Sequence, residues 1–316
     1  MPRAAIDIGS NSILLLVLGD DGGSRVDAAR VVGLGRDLGA RGFLRADRMD
    51  AALEVLAGFA RQAAAHGVPP AAVRIAGTSA LRRALNAPVF AERVLHETGL
   101  ALRVVSGEEE ARLSATGALS GLDLSEGPLV LGDPGGGSTE VIEILHGPGG
   151  GSAPDVRTVR SLEIGTIRIT EACLAEDPLR PAAVAEARDL VAAAFARERF
   201  EPRPRTVVAV SGTATALAAA EAGQLAFDGA SVHGAVLRLE RLEAWIDRLR
   251  VTPRAERRAL VPATPDYAET LLAGTLILER LLMATHRTQA TVSARGLRYG
   301  LLLGDDTLEP PGEDLR

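Results

Sequence analysis

Short apolar runs alternate with segments whose apolar positions return every three or four residues, the pattern of strands exchanging with amphipathic helices. Residues 4–8, 13–18, 73–76 and 101–105 are predicted strands, and residues 47–65 a helix with Leu53, Leu56 and Phe59 on one face. After a turn-rich stretch at 121–127 the pattern starts afresh. Strands are predicted at 129–131, 140–145, 207–210 and 290–293. Helices are predicted at 180–199, with Val184, Leu190, Val191 and Phe195 inward, and at 238–250, with Leu239, Leu242, Trp245 and Leu249 on the apolar stripe. That stripe makes Trp245 a core residue before it is a ligand platform. A long apolar helix at 267–285 can face the core or, in a homodimer, a second subunit, and an apolar run at 296–303 closes the pattern. The glycine-rich tip at 147–154 reads as a hairpin loop, and the acidic, proline-containing end from Asp305 as frayed. The whole predicts an α/β protein in two halves, 1–124 and 125–316, whose final segment can pack back on the first.

One local pattern occurs in both halves. Asp7-Ile8-Gly9-Ser10-Asn11-Ser12 and Asp133-Pro134-Gly135-Gly136-Gly137-Ser138 both read D-x-G-x-x-S, each between two predicted strands. Glycines there allow a tight turn whose amides can face an anion, and the Asp before it can hold a cation directly or through water. Two such hairpins would grip a phosphate chain from both sides. Pro134 has no N–H, so the second turn requires that this amide not be a ladder donor.

Composition narrows the chemistry. The chain has 316 residues and a net charge of -6, with six Phe, two Tyr and one Trp, which argues against general nucleic-acid binding. Every one of the 35 basic side chains is arginine, so a phosphate grip must use guanidinium groups and backbone amides. The single Cys173 excludes an internal disulfide. No early segment has signal-peptide character or the length to cross a bilayer, so no membrane association and a cytoplasmic location are expected.

Four further segments carry candidate groups. Gly77-Thr78-Ser79-Ala80-Leu81-Arg82-Arg83 follows a strand, which places a loop arginine at the strand's C-terminal end. In Ser106-Gly107-Glu108-Glu109-Glu110, Ser106 and Glu109 have capping-box spacing, so Glu110 is the acid the cap does not need. Asp133 and Glu140 are brought towards one side by strand, turn and returning strand, and beside a glycine nest containing Ser138 and Thr139 they suit Mg²⁺. Ser211-Gly212-Thr213 can bind one more phosphate or serve as a helix cap. The histidines show no metal-ligand spacing; His233 alone is kept as a ligand-contact candidate.

In this order the segments resemble the exopolyphosphatase/guanosine pentaphosphate phosphatase family, in its short, two-domain form. The resemblance is carried by IDIGSNSILLLV (6–17), GTSALRRALNA (77–87), VVSGEEEARL (104–113), DPGGGSTEVI (133–142), SLEIGTIRITE (161–171), VSGTATALAA (210–219) and SARGLRYGLLL (293–303). It implies two actin-like (ribonuclease H-like) domains with a cleft between them, each a mixed sheet with flanking helices. It also implies hydrolysis of terminal phosphate from inorganic polyphosphate, or from guanosine pentaphosphate, with Mg²⁺ or Mn²⁺. By the same resemblance Glu110 corresponds to the base for the attacking water and Arg82 to a phosphate contact. Asp133 and Glu140, helped by Asp7, correspond to the metal site; Gly9, Ser10, Asn11, Ser12, Gly135, Gly136, Gly137 and Ser138 correspond to the phosphate loops. Three positions depart from the family pattern besides Pro134: Ala294 and Tyr299 replace acidic residues, and Tyr267 stands near a usual arginine. A non-catalytic polyphosphate or alarmone sensor is the alternative that Pro134, Ala294 and Tyr299 support.

Overall fold

A computed structural model describes residues 1–147, 154–200 and 203–304. The predicted glycine-rich hairpin tip and the predicted frayed end from Asp305 fall almost wholly outside the described residues. The chain divides into two compact units, one of Met1–Gly117 with the segment from Leu297 onward, the other of Ala118–Gly296.

The first unit holds strands β1 (Arg3–Ile8), β2 (Ser12–Leu18), β3 (Ser24–Val31), β4 (Arg74–Gly77) and β5 (Arg103–Val104), in sheet order β3-β2-β1-β4-β5. β1 and β2 are antiparallel, as are β2 and β3, while β4 runs parallel to both β1 and β5. Alternation along β1 splits the core. Ile6 and Ile8 join Leu53, Leu56 and Phe59 of the helix Ala46–Ala65 on one face. Ala5 joins Leu16, Leu113, Leu297 and Leu301 on the other, against the C-terminal helix Leu297–Leu303. Asp7 has the parity of Ala5 and therefore lies on this second face.

The second unit repeats the arrangement. β6 (Gly127–Pro134), β7 (Thr139–His146), β8 (Asp155–Leu162), β9 (Thr206–Val210), β10 (Val236–Arg238) and β11 (Gln289–Ser293) form a sheet of order β10-β11-β9-β6-β7-β8. Read from β8, the pairings repeat those of the first sheet: two antiparallel contacts, then two parallel ones, with β10 added antiparallel at the far edge. The motif duplication is thus a duplication of topology. Mixed sheets flanked by helices in both units agree with the expected fold class.

Side-chain expectations hold with specific exceptions. The helix Leu271–Ala284 is buried along almost its whole length, which settles its apolar stripe on the core of its own unit. Trp245 is buried and its indole N–H donates to Glu221 Oε1 at 3.1 Å. In the helix Ala183–Phe195, however, the inward row is Ala183, Ala187, Val191 and Phe195, and Leu190 is 39% exposed. Spacing by four selects that row, and Leu190 lies off it. Among the described residues no helix is long and apolar enough to cross a membrane.

Candidate active site

The two D-x-G-x-x-S turns have one geometry. Gly9 N–H donates to Ser12 O at 2.9 Å, and Gly135 N–H donates to Ser138 O at 2.9 Å. In β6–β7 the Cα partners are Asp133 with Glu140 and Pro134 with Thr139. Hydrogen-bonded and non-hydrogen-bonded pairs alternate along an antiparallel ladder. Gly135 being a donor to β7 therefore places Pro134 where no N–H towards β7 is needed, and the turn survives the proline intact.

What lies behind each turn decides where its amides point. Thr166 N–H and Ile167 N–H, at the start of the helix Thr166–Cys173, donate to Gly135 O at 2.8 Å and Gly136 O at 2.9 Å. In a planar trans peptide the C=O and the following N–H point in opposite directions. The N–H groups of Gly136 and Gly137 are consequently aimed away from that helix. In the first unit Gly35 N–H donates to Ser10 O at 2.8 Å, while Val32 N–H and Gly33 N–H donate to Asn11 O at 2.9 and 2.8 Å. The amides of Asn11 and Ser12 are turned outward by the same constraint.

In the first unit Asp7 lies near the C-terminal end of β1, and the Gly9 turn, Arg82 and Glu110 follow β1, β4 and β5 at the edge where open α/β sheets place their ligands. Arg82 lies in the last turn of the short helix Ser79–Arg83, and its Nη1 donates to Val105 O at 3.2 Å and to Glu110 Oε2. Glu110 lies on the helix Gly107–Leu119 and is buried. Ser106 Oγ accepts from Glu109 N–H at 3.1 Å, Glu109 pairs with Arg103, and Glu108 pairs with Arg112 at 2.7 Å. The cap and its neighbours thus occupy the first two glutamates, and the third meets Arg82.

Asp7 Oδ1 is sealed from solvent and has no hydrogen-bond partner. Burial pushes the Asp7 pKa up to about 7, against the opposing pull of the Arg298 guanidinium. Arg298 was not singled out by sequence reasoning. It is 7% exposed, and its Nε and Nη2 grip Asp27 at 3.0 and 3.1 Å, with Tyr299 Oη donating to the same carboxylate at 3.1 Å. Only the parity of Asp7, which directs it to the face covered by the C-terminal helix, could have pointed to this neighbour.

In the second unit Asp133 and Glu140 are directly opposite across β6–β7 and so share a face. Glu140 Oε1 accepts from Ser138 Oγ at 2.8 Å and from Ser161 Oγ at 2.9 Å, which orients a carboxylate only 4% exposed. Among the described residues no three His, Cys, Asp or Glu side chains form a metal cage. The donors nevertheless fit magnesium, a hard cation that keeps several waters and uses one or two carboxylates with substrate oxygens. In the first unit the orphaned Asp7 oxygen is a separate buried acceptor that a cation would satisfy.

Several expected phosphate contacts have their side chains committed elsewhere. Thr139 Oγ1 donates to Ile164 O at 2.7 Å. Ser211 caps the helix Gly212–Glu221 by accepting from Ala214 N–H at 3.0 Å, the Tyr267 ring covers Gly212, and buried Thr213 packs on Gly274. At 211–213 the cap holds Ser211 Oγ as an acceptor, and its O–H and the backbone amides are the donors to consider for a phosphate. His233 shares Ser120 O through Nε2 at 3.0 Å, and burial, then Arg295, pushes its pKa down. It is a packing residue.

Known proteins resemble the chain along most of its length. Exopolyphosphatase 2 of Mycobacterium tuberculosis is 33% identical over 324 aligned residues, spanning 95% of this chain and 97% of that protein. Exopolyphosphatase 1 of the same organism is 28% identical, spanning 96% and 88%. The crystal structure of the Aquifex aeolicus Ppx/GppA family member superposes with a TM-score of 0.76 at 31% identity, covering 96% of both chains. The sequence profile of the Ppx/GppA phosphatase family matches residues 26–309. By that profile over most of its length and by these relatives, the chain belongs to the Ppx/GppA phosphatase family and is a hydrolase.

Proposed function

We propose that the protein is an exopolyphosphatase that removes terminal orthophosphate from inorganic polyphosphate. The observation that carries this reading is the pair of matching turns, each with backbone amides turned outward, joined in the first unit by Arg82 held against Glu110. Repeated amide cradles suit a repeating anion, and the chain's all-arginine basic complement provides guanidinium forks for phosphate oxygens.

In the reaction a water attacks the terminal phosphorus in line, the new P–O bond forms as the bridging P–O bond breaks, and the shortened chain leaves as an anion. Glu110 takes the proton from the water. Arg82 and the turn amides hold the non-bridging oxygens and offset their growing charge, which is most of what phosphoryl transfer requires of a protein. In the second unit Asp133 and Glu140 are the residues that would hold magnesium, which would supply charge neutralisation when bound, and in the first unit Asp7 is the carboxylate suited to a cation. The deciding assay measures phosphate release from short polyphosphate, long polyphosphate and guanosine pentaphosphate, each with and without magnesium. Release from polyphosphate is expected to dominate. Release from the nucleotide alone would move the assignment to the alarmone, and binding without any release would make the protein a sensor.

Asp7 ties metal binding to pH. Its pKa, raised from 3.8 to about 7, makes the folded state hold a proton that the unfolded chain has already lost between those values. Stability of the metal-free protein therefore falls as pH rises through that window and levels off above it. A cation binding there must expel that proton at lower pH. Thermal melts are expected to show a larger gain from added magnesium at about pH 8 than at about pH 6, a difference that Asp7→Asn removes.

A further inference from the structure

The residues that close in behind the two turns have a feature that the reaction as described does not use. Gly165, immediately before the helix Thr166–Cys173, has φ -148° and ψ 168°, an extended conformation open to any residue, so backbone conformation does not demand glycine. Space does. A Cβ at this position would lie 2.4 Å from Gly136 O, 2.5 Å from Gly136 C and 2.6 Å from Gly137 C. All three are backbone atoms of the turn itself, so no change of rotamer can relieve the overlap. The loop carrying Gly165 is fixed from the other side, because Ile164 O accepts from Thr139 Oγ1 at 2.7 Å and Ile164 N–H donates to Leu162 O at 2.7 Å.

The first unit has a counterpart in the loop that follows its own third strand. A Cβ on Gly35 would stand 3.0 Å from Ser10 Cβ and 3.3 Å from Ser10 O, and Gly35 N–H is the donor to Ser10 O. The overlap here is milder. Both glycines therefore follow the last strand of a three-stranded antiparallel run, and both touch the backbone of the preceding D-x-G-x-x-S turn.

We propose that Gly165 and Gly35 are positioning residues for phosphate binding: each lets a buttress loop approach its turn closely enough to hold the turn's carbonyls and thereby aim its amides at substrate oxygens. This rests on the reading of the turns as phosphate cradles. A side chain at Gly165 would lift the turn off the helix start, lengthen the bonds to Gly135 O and Gly136 O, and let those peptides rotate. The mechanism is separate from any loss of global stability, since what changes is the direction of the donors.

The test compares Gly165→Ala and Gly35→Ala with the wild type and with Leu249→Ala, a truncation in the core of the second unit. Each is measured by thermal melt, by calorimetric binding of tripolyphosphate with magnesium, and by kcat and KM for phosphate release. Gly165→Ala is expected to weaken tripolyphosphate binding and raise KM at least ~10-fold, with kcat/KM falling about 100-fold, a cost typical of misplacement by about 1 Å. Gly35→Ala, with the smaller overlap, is expected to raise KM about threefold. Leu249→Ala lowers the melting temperature with KM unchanged. If Gly165→Ala does not fold, Gly35→Ala decides the matter. A folded variant series that melts early yet keeps wild-type KM and affinity overturns the positioning role. Wild-type binding without phosphate release would instead overturn the hydrolase reading, and the binding measurements would still judge the glycines.

Discussion

Glu110→Gln is expected to leave a folded protein that binds tripolyphosphate within a few-fold of wild type while phosphate release falls by about 10²–10⁴. The substitution keeps the size of the side chain and leaves an amide oxygen able to accept from Arg82, whose Nη1 meets the Glu110 carboxylate. It removes only the capacity to take a proton from water. The two halves of the expectation are measured separately, by steady-state phosphate release and by calorimetry. Turnover near the wild-type rate would take Glu110 out of the mechanism, and lost binding would make it a substrate contact.

Arg82→Ala should act on both function and stability. Removing a guanidinium that neutralises charge in phosphoryl transfer costs about 10³-fold in turnover in related chemistry, and a rise in KM is expected as well. The stability effect arises because Glu110 is 9% exposed and would keep a charge without its arginine. Taking the guanidinium partner away from a largely buried carboxylate costs about 2 kcal/mol. In an Arg82→Ala background, Glu110→Gln should therefore recover part of the melting temperature while recovering no activity. A double-mutant cycle in which the two stability losses simply add would show that the pair is not coupled.

The hairpins and the helix Ala46–Ala65 were legible because their apolar residues follow a clean period, and the repeated motif then gave both turns. Other elements were hidden for identifiable reasons. β3 and β8 are edge strands, half-exposed and with polar residues making up half or more of each, so they carry little hydrophobic signal. The inward face of Ala183–Phe195 begins with two alanines, too small to outweigh Leu190 in a reading by hydrophobicity. In the site, residue type identified Arg82 and Glu110 by family resemblance, and the structure added that they touch. Sequence could not separate a hydroxyl facing a ligand from one spent internally, as at Thr139 and Ser211, because that depends on neighbours distant along the chain. The same holds for Gly35 and Gly165, whose role lies in the space around them.

The first unit is discontinuous in sequence: the helix Leu297–Leu303 supplies Leu297 and Leu301 to one of its two cores and carries Arg298. During synthesis the intervening unit, being one unbroken stretch, is exposed to solvent in full before that helix leaves the ribosome. Vectorial folding should then run inside out, the inserted unit maturing first and the earlier-made one waiting for its last helix. Chains ending at Gly296 and released from the ribosome would show protease resistance confined to the inserted unit.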